Sequence, residues 1–473
     1  MPQAGVSGQA PPRPAQADLA LWAGRVGVGA AAFVAGSALG RADEPLQLGL
    51  AVCAGGLAIA AAVLRVRWFL VGALFLMVAY VPDTLANHHA AHALIAIALV
   101  GALAGWVSRR ERLTLPRELL AFAALGVAYL AASVGASDRA AAAAETLDLV
   151  SYGVIVALLM LLLDTPAWLR RAVWAVVAGV GLLALLAILQ QVTHTYGSTY
   201  GGFAGVLPSG DAMRSAGPLN PNPFGQILVT SAVLAFYLVR VQSRGWPRVL
   251  AGAISLACVV AAIYTQSRAA LIALVIVGIA IALLHGVRLR VLAVAAIAAV
   301  ALAPVVLPSS LDQRVGQLSG GASATSSFRD NNSLRGRTSE NLAALNMWAD
   351  HPLLGVGPDN FEVHYQTYSA AIGIDQRAEA RGAHNLYLES FAELGLLGGV
   401  AFLTLVGLSL TGAWRARSRL KGREALLCEG LAVALGAFLI CALTLHSAYA
   451  RYEWIFLGLG LAAGRLARRR PAI

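Results

Sequence analysis

Apolar stretches of about twenty residues recur almost end to end in this chain, and that recurrence leaves few folds open. A helix of that length with almost no charge matches the hydrocarbon thickness of a bilayer. Lipid offers no partner to backbone N–H and C=O groups, so only helices and closed barrels can span it. A barrel needs short segments of alternating polarity, and the runs here are long and unbroken. Composition agrees: 58% of the 473 residues are hydrophobic and 12% are charged, about half the charged share of a soluble domain. The sequence predicts an all-α polytopic membrane protein.

About fourteen spans are expected, over 20–40, 46–64, 68–81, 92–108, 118–134, 148–163, 170–192, 223–240, 247–265, 269–285, 290–307, 391–413, 425–446 and 451–467. They imply four regions. Residues 1–18 form a Pro/Gln/Ala-rich tail, expected to be disordered and without the features of a signal peptide. Residues 19–307 hold about eleven spans, 308–390 a long outer loop, and 391–473 the last helices and a basic tail. Loops carrying Arg65/Arg67, Arg109/Arg110, Arg170/Arg171, Arg240/Arg244, Arg288/Arg290 and Arg415–Arg423 alternate with arginine-poor ones. The arginine-rich set is expected to be cytoplasmic, with both termini on that side.

That pattern also accounts for the net charge of +11, which is nearly all arginine, Lys421 being the single lysine. No basic soluble domain is present, so a nucleic-acid partner is not expected. Cys53, Cys258, Cys428 and Cys441 lie in or beside apolar runs without metal-ligand spacing. No nucleotide or metal motif is present, and neither cofactor nor metal is expected.

Unusual polar residues gather in the outer segments. Arg214 precedes Asn220-Pro221-Asn222-Pro223, which leads into a span. Asn222 suits an N-cap and Pro223 a first helical turn, so the Asn-Pro pairs are explained either by capping or by a site. Arg214 is not explained by capping. Arg268 follows a very short turn, Thr265-Gln266-Ser267, at membrane level. It either snorkels to lipid phosphate or holds an anion in a wet cavity. Arg335 and Arg337 stand in the long loop, either as a solvated face or as further cations of that site. Arg314, Arg329, Arg377 and Arg381 lack a local pattern and are read as surface. A helix is expected near 338–349, ending before His351-Pro352, with a tight turn at 353–358. His351 reads as a helix end.

His384 differs, because it opens the run His384-Asn385-Leu386-Tyr387-Leu388-Glu389 where the loop meets a span. The helix dipole there disfavours a protonated ring, as a general base requires. The alternative is a cap or loop hydrogen bond. Asn385 and Glu389 share a helical face, but Glu389 is more than a turn from His384, so spacing does not guarantee the histidine a carboxylate partner. Lipid-level arginines beside a candidate base suit an activated, phosphate-bearing lipid substrate whose leaving group gains charge.

The combination Arg214…Gly217…Asn220-Pro221-Asn222, Ser267-Arg268-Ala269-Ala270, Arg337…Trp348…His351-Pro352-Leu353-Leu354-Gly355-Val356-Gly357…Phe361 and His384-Asn385…Glu393-Leu394-Gly395-Leu396-Leu397-Gly398 resembles the O-antigen ligase/polymerase (WaaL-like, Wzy_C) superfamily. The resemblance covers about the second half of the chain. It implies a GT-C-like, metal-independent glycosyltransferase in the bacterial inner membrane, working on the periplasmic face. Its implied partners are an undecaprenyl-diphosphate-linked glycan donor and a lipid A-core or other glycan acceptor. It implies diphosphate binding by Arg214, Arg268 and Arg337, a catalytic role for His384, and a site shaped by Asn220, Asn222, Asn385 and Glu389. Ligation to lipid A-core is the first expectation. Polymerisation of O-antigen or exopolysaccharide is the second, and transport of a lipid or polysaccharide the third, although no matching pair of interrupted spans is seen.

Overall fold

The computed structural model describes residues 45–85, 89–109, 114–209, 212–288, 332–374, 381–445 and 450–469. The expected tail over 1–18, the spans over 20–40 and 290–307, and Arg314, Arg329 and Arg377 lie outside the described residues. The elements begin with α1 (Pro45–Val78), α2 (Val81–Leu85), α3 (His89–Arg109), α4 (Glu118–Val134), α5 (Arg139–Leu162) and α6 (Pro166–Val192). An antiparallel hairpin follows, β1 (Val206–Ser209) and β2 (Ala212–Ser215), which helical periodicity does not foretell. Next come α7 (Pro221–Val241), α8 (Trp246–Tyr264) and α9 (Arg268–Leu284). The long loop contains α10 (Asn332–Asp350) and α11 (Phe361–Ile372), and α12 (Leu386–Arg419), α13 (Gly422–Ala442) and α14 (Arg451–Arg469) complete the chain.

Among the described residues seven helices are long and apolar enough to cross a membrane, namely α3, α5, α6, α7, α8, α12 and α13, while α4 and α9 are apolar but shorter. The architecture is that of an all-α, multi-pass membrane protein. The expected spans 46–64 and 68–81 are two helices that meet at a kink, where Arg65 leaves helical geometry (φ −145°, ψ 55°). The expected helix at 338–349 extends to 332–350. The span expected at 391 starts five residues earlier and breaks at Gly395.

The chain divides into two compact units. The first comprises Met1–Ala73 and Asn87–Leu115. Within it α1 and α3 approach closely, a Cβ on Gly101 falling 2.5 Å from the Ala62 carbonyl oxygen. The second comprises Leu74–Ala86 and Pro116–Ile473. There α12 packs against α4, α10, α13 and α14, and α7 packs against α6, α8 and α13. Every residue of α14 from Tyr452 to Ala467 is buried. Gly412 and Gly464 let α12 and α14 meet backbone to backbone, the small-residue packing that lipid favours. Buried Arg465 donates to the Met160 carbonyl at 3.2 Å, which satisfies a charge the interior would otherwise reject.

Turns that the arginine pattern assigns to one side touch each other. Asp83 pairs with Arg451, Ser137 Oγ lies 3.1 Å from His364 Nε2, and the Asn360 side chain exchanges hydrogen bonds with both backbone groups of Asp138. The basic turns have contacts of their own, Arg417 with Glu429 and Arg468 with Glu118.

Candidate functional site

The site is organised by the break in α12. Gly395 adopts φ 62°, ψ −162°, which ends the helical hydrogen-bond ladder and frees backbone groups on both sides. The segment after α10 takes them up. Val356 N–H donates to the Ala392 carbonyl at 2.9 Å and Gly357 N–H to the Glu393 carbonyl at 2.9 Å. Leu396 N–H donates to Pro352 at 2.8 Å and Leu397 N–H to Leu353 at 3.3 Å. The strands of this clasp meet at two glycines. A Cβ on Gly355 would sit 2.3 Å from the Glu393 carbonyl carbon, and one on Gly395 would sit 2.2 Å from that of Leu353. Glu393 Oε1 accepts the Phe361 N–H at 3.1 Å, which holds the start of α11. The Trp348 ring packs against Phe391 at a tilt, with centroids 4.9 Å apart and planes at 49°. The motifs at 351–357 and 393–398 are therefore one backbone clasp, which fixes α10 and α11 on α12. His351 is exposed at the end of α10, the helix-end reading made of it.

Arg214 projects from β2, which Gln191 holds by hydrogen bonds of 3.0 Å to Met213 O and Ser215 Oγ. Its Nε donates to the Thr265 carbonyl at 2.9 Å and a terminal nitrogen donates to Asn222 Oδ1 at 3.1 Å. Thr265 opens the turn that leads to Arg268, the first residue of α9. That turn is tight, with Gln266 at φ 50° and Ser267 Oγ buried without a hydrogen bond among the described residues. Gly225 lets α7 lie against it, since a Cβ there would be 2.8 Å from Ala270. Arg268 and Arg337 are half-buried and electrostatically coupled, and neither guanidinium has a hydrogen bond among the described residues. Burial lowers the Arg337 pKa below its ordinary value, Arg268 lowers it further, and Glu340 opposes both.

Glu340 links this cluster to His384. It lies three residues after Arg337 on α10, so the two share a face. Its carboxylate is buried, with Oε2 at 3.1 Å from His384 Nδ1 and Oε1 at 3.3 Å from Arg381 Nη1. Burial alone raises a carboxyl pKa, yet the hydrogen bonds and charges of His384 and Arg381 together hold Glu340 below its ordinary value. Arg381 is thus part of the site and not plain surface. His384 Nδ1 is also 3.1 Å from the Gly382 carbonyl. The residue sits at φ 47°, a left-handed conformation that costs about 1 kcal/mol. It directly precedes the N-cap of α12. The ends of α9 and α12 are both fastened to α13, through Cys441 Sγ to Ala269 O at 3.7 Å and Tyr387 Oη to Leu439 O at 2.9 Å.

The other predicted residues divide. Asn385 is the α12 N-cap, accepting from Tyr387 N–H at 3.1 Å and Leu388 N–H at 3.2 Å. Asn220, and not Asn222, occupies the N-cap position of α7, with Pro221 in the first turn, and its side chain makes no cap bond. Two residues after that cap, Asn222 is free of capping and binds Arg214. Glu389 is buried on α12, and the carboxyls that act on it are those of Glu453, Asp359, Glu362 and Glu145. Glu340 went unseen because it comes from a helix more than forty residues upstream. Its i,i+3 spacing from Arg337 was the available signal. Among the described residues no group of three or more His, Cys, Asp or Glu is arranged to hold a metal ion.

Comparison with known proteins locates this geometry. Residues 251–403 match the Wzy_C family, O-antigen ligase. The matched Wzy_C segment contains Arg268, Arg337, Glu340, His384 and both halves of the glycine clasp, while Arg214 precedes it. The resemblance carried by the motifs is borne out over that segment. Teichuronic acid biosynthesis protein TuaE of Bacillus subtilis (strain 168) is 24% identical over 314 residues, covering 63% of this chain. The chain spans 61% of that relative's length.

Proposed function

We propose that this protein is a glycosyltransferase of polysaccharide assembly that moves a glycan from undecaprenyl diphosphate to an acceptor hydroxyl in the bacterial inner membrane. The observation that carries this reading is one series of contacts and electrostatic couplings, from Arg214 through the Thr265–Arg268 turn and Arg337 to Glu340 and His384. Two coupled guanidinium groups without hydrogen-bond partners among the described residues suit a diphosphate, which accepts bidentate bonds from arginine. As the anomeric C–O bond to phosphate breaks, charge grows on the leaving diphosphate and the cations stabilise it. The acceptor O–H bond breaks as its oxygen joins the anomeric carbon, and His384 takes the proton. We read the site as periplasmic and the transfer as metal-independent, the guanidinium charge doing what a divalent cation does elsewhere.

The family's description, O-antigen ligase, supports ligation as the first reading, with lipid A-core as the acceptor proposed for it. The relative's name favours a second reading, polymerisation of a lipid-linked repeat, because it places that protein in teichuronic acid biosynthesis. Reconstitution in liposomes with a lipid-diphosphate glycan, offered lipid A-core or a second lipid-linked repeat, separates the two by product length and reducing end. Transfer should persist in EDTA and disappear in His384→Ala. Undiminished transfer by folded His384→Ala rejects the proposed base, and movement of donor across the bilayer without transfer identifies a transporter.

A further inference from the structure

We infer that Glu340 is the positioning residue of this site, whose buried carboxylate orients the His384 ring and stabilises the imidazolium formed when it takes a proton. The inference rests on the transferase reading above and adds a residue to it. The geometry fixes the tautomer. Nδ1 lies 3.1 Å from the Gly382 carbonyl oxygen and 3.1 Å from Glu340 Oε2. A carbonyl and an ionised carboxylate can only accept, so Nδ1 carries the hydrogen. In the neutral ring the lone pair is then on Nε2, the nitrogen left to accept a proton from an acceptor hydroxyl.

Two features separate this arrangement from an ion pair that merely fastens the loop. First, the carboxylate is divided between two tasks. Arg381 holds Oε1, while Oε2 is buried with no donor other than His384 in reach among the described residues. The Nδ1–H bond is aimed at Gly382 O, with Oε2 alongside as a close charge, so a small ring rotation exchanges one acceptor for the other. Second, the surrounding charge is positive. Arg381 lies beside Glu340 from the loop, Arg337 faces it from α10, and Arg268 of α9 presses on Arg337. A second cation formed on His384 would meet this field, and Glu340 is the carboxylate that offsets it.

The support is rigid. Ser339, next to Glu340, meets Tyr365 Oη at 3.4 Å, and Ala343, Ala344 and Met347 of α10 are buried with Phe361 and Tyr365 of α11. In the step, the acceptor oxygen bonds to the anomeric carbon and loses its proton to Nε2. The electron pair of the cleaved C–O bond leaves with the diphosphate. Glu340 keeps its charge throughout and stays unprotonated, as the orienting carboxylate of a His-centred triad does.

The test uses the full chain in liposomes with a lipid-diphosphate glycan donor, comparing Glu340→Gln, Glu340→Ala and His384→Ala. Glu340→Gln should lower kcat roughly 10- to 100-fold, as loss of an orienting partner does. The donor KM should stay near wild type, and any fall in thermal midpoint should leave the protein folded at the assay temperature. Formate should partly restore Glu340→Ala, and ¹⁵N-histidine spectra of Glu340→Gln should show His384 losing its preference for the Nδ1–H tautomer. The inference is overturned if His384→Ala is inactive while Glu340→Gln keeps wild-type kcat, or if its lost activity tracks lost folded protein with the tautomer unchanged. A fully active His384→Ala would instead defeat the transferase reading, so the two failures are distinct.

Discussion

Alanine in place of Gly395 strikes the clasp that holds the long loop on α12. The native φ of 62° with ψ −162° is a region that glycine occupies freely and other residues enter at about 1–3 kcal/mol. The added Cβ would also lie 2.2 Å from the Leu353 carbonyl carbon and 2.3 Å from its oxygen. Those are backbone atoms, so no rotamer change relieves the overlap. The 352–357 segment must withdraw, and with it go the four hydrogen bonds that bridge the break. At about 1 kcal/mol net for each, the clasp contributes about 4 kcal/mol. More is lost wherever freed backbone groups meet lipid in place of water. Gly373 provides the control: it also has positive φ, 70°, but nothing lies within 4 Å of its Cβ position. Thermal unfolding in detergent and limited proteolysis between α10 and α11 are the assays. Gly395→Ala should unfold at a clearly lower temperature than Gly373→Ala, expose the loop to protease, and lose transfer because α10 carries Arg337 and Glu340. Equal midpoints and equal protease resistance for the two variants would refute the clasp.

Four further outcomes are expected. Asn385→Ala removes the α12 cap and should cost about 1 kcal/mol, with kcat reduced because His384 is the preceding residue, as thermal unfolding and turnover will measure. Asn222→Ala deletes the 3.1 Å acceptor of Arg214 while the α7 cap position at Asn220 is untouched, so donor KM should rise with little change in stability. Asn360→Ala loses three side-chain bonds to Asp138 and Pro358 and should cost about 3 kcal/mol in unfolding free energy. Glu340 has a folded-state pKa below its ordinary 4.5, so its stabilisation is complete above that value and is lost as pH falls through the lowered one. Any gap in thermal midpoint between wild type and Glu340→Gln should therefore be full above the ordinary value of 4.5 and narrow as pH falls below it.

The membrane class, most of the helices and the candidates for the site were legible in the residues themselves. Apolar length, caps and arginine placement are local properties, and bilayer thickness reads them directly. His384 was found because a polar loop met an apolar run there, and Arg268 because a short turn left a cation at lipid depth. Other features depended on packing. A small hairpin carries Arg214 to the Thr265 carbonyl, and no helical period announces it. Asn220 and Asn222 each fit a cap by composition, and the start of α7 chose between them. Glu389 lies more than a turn from His384 along the sequence, and the fold sets it among the carboxyls of Glu453 and Glu145. Glu340 looked like an ordinary helical carboxylate until α10 was clasped onto α12. The cause is common to all of these: spacing along a chain says which residues share a helical face, but the neighbour which that face meets is set by how helices distant in sequence pack.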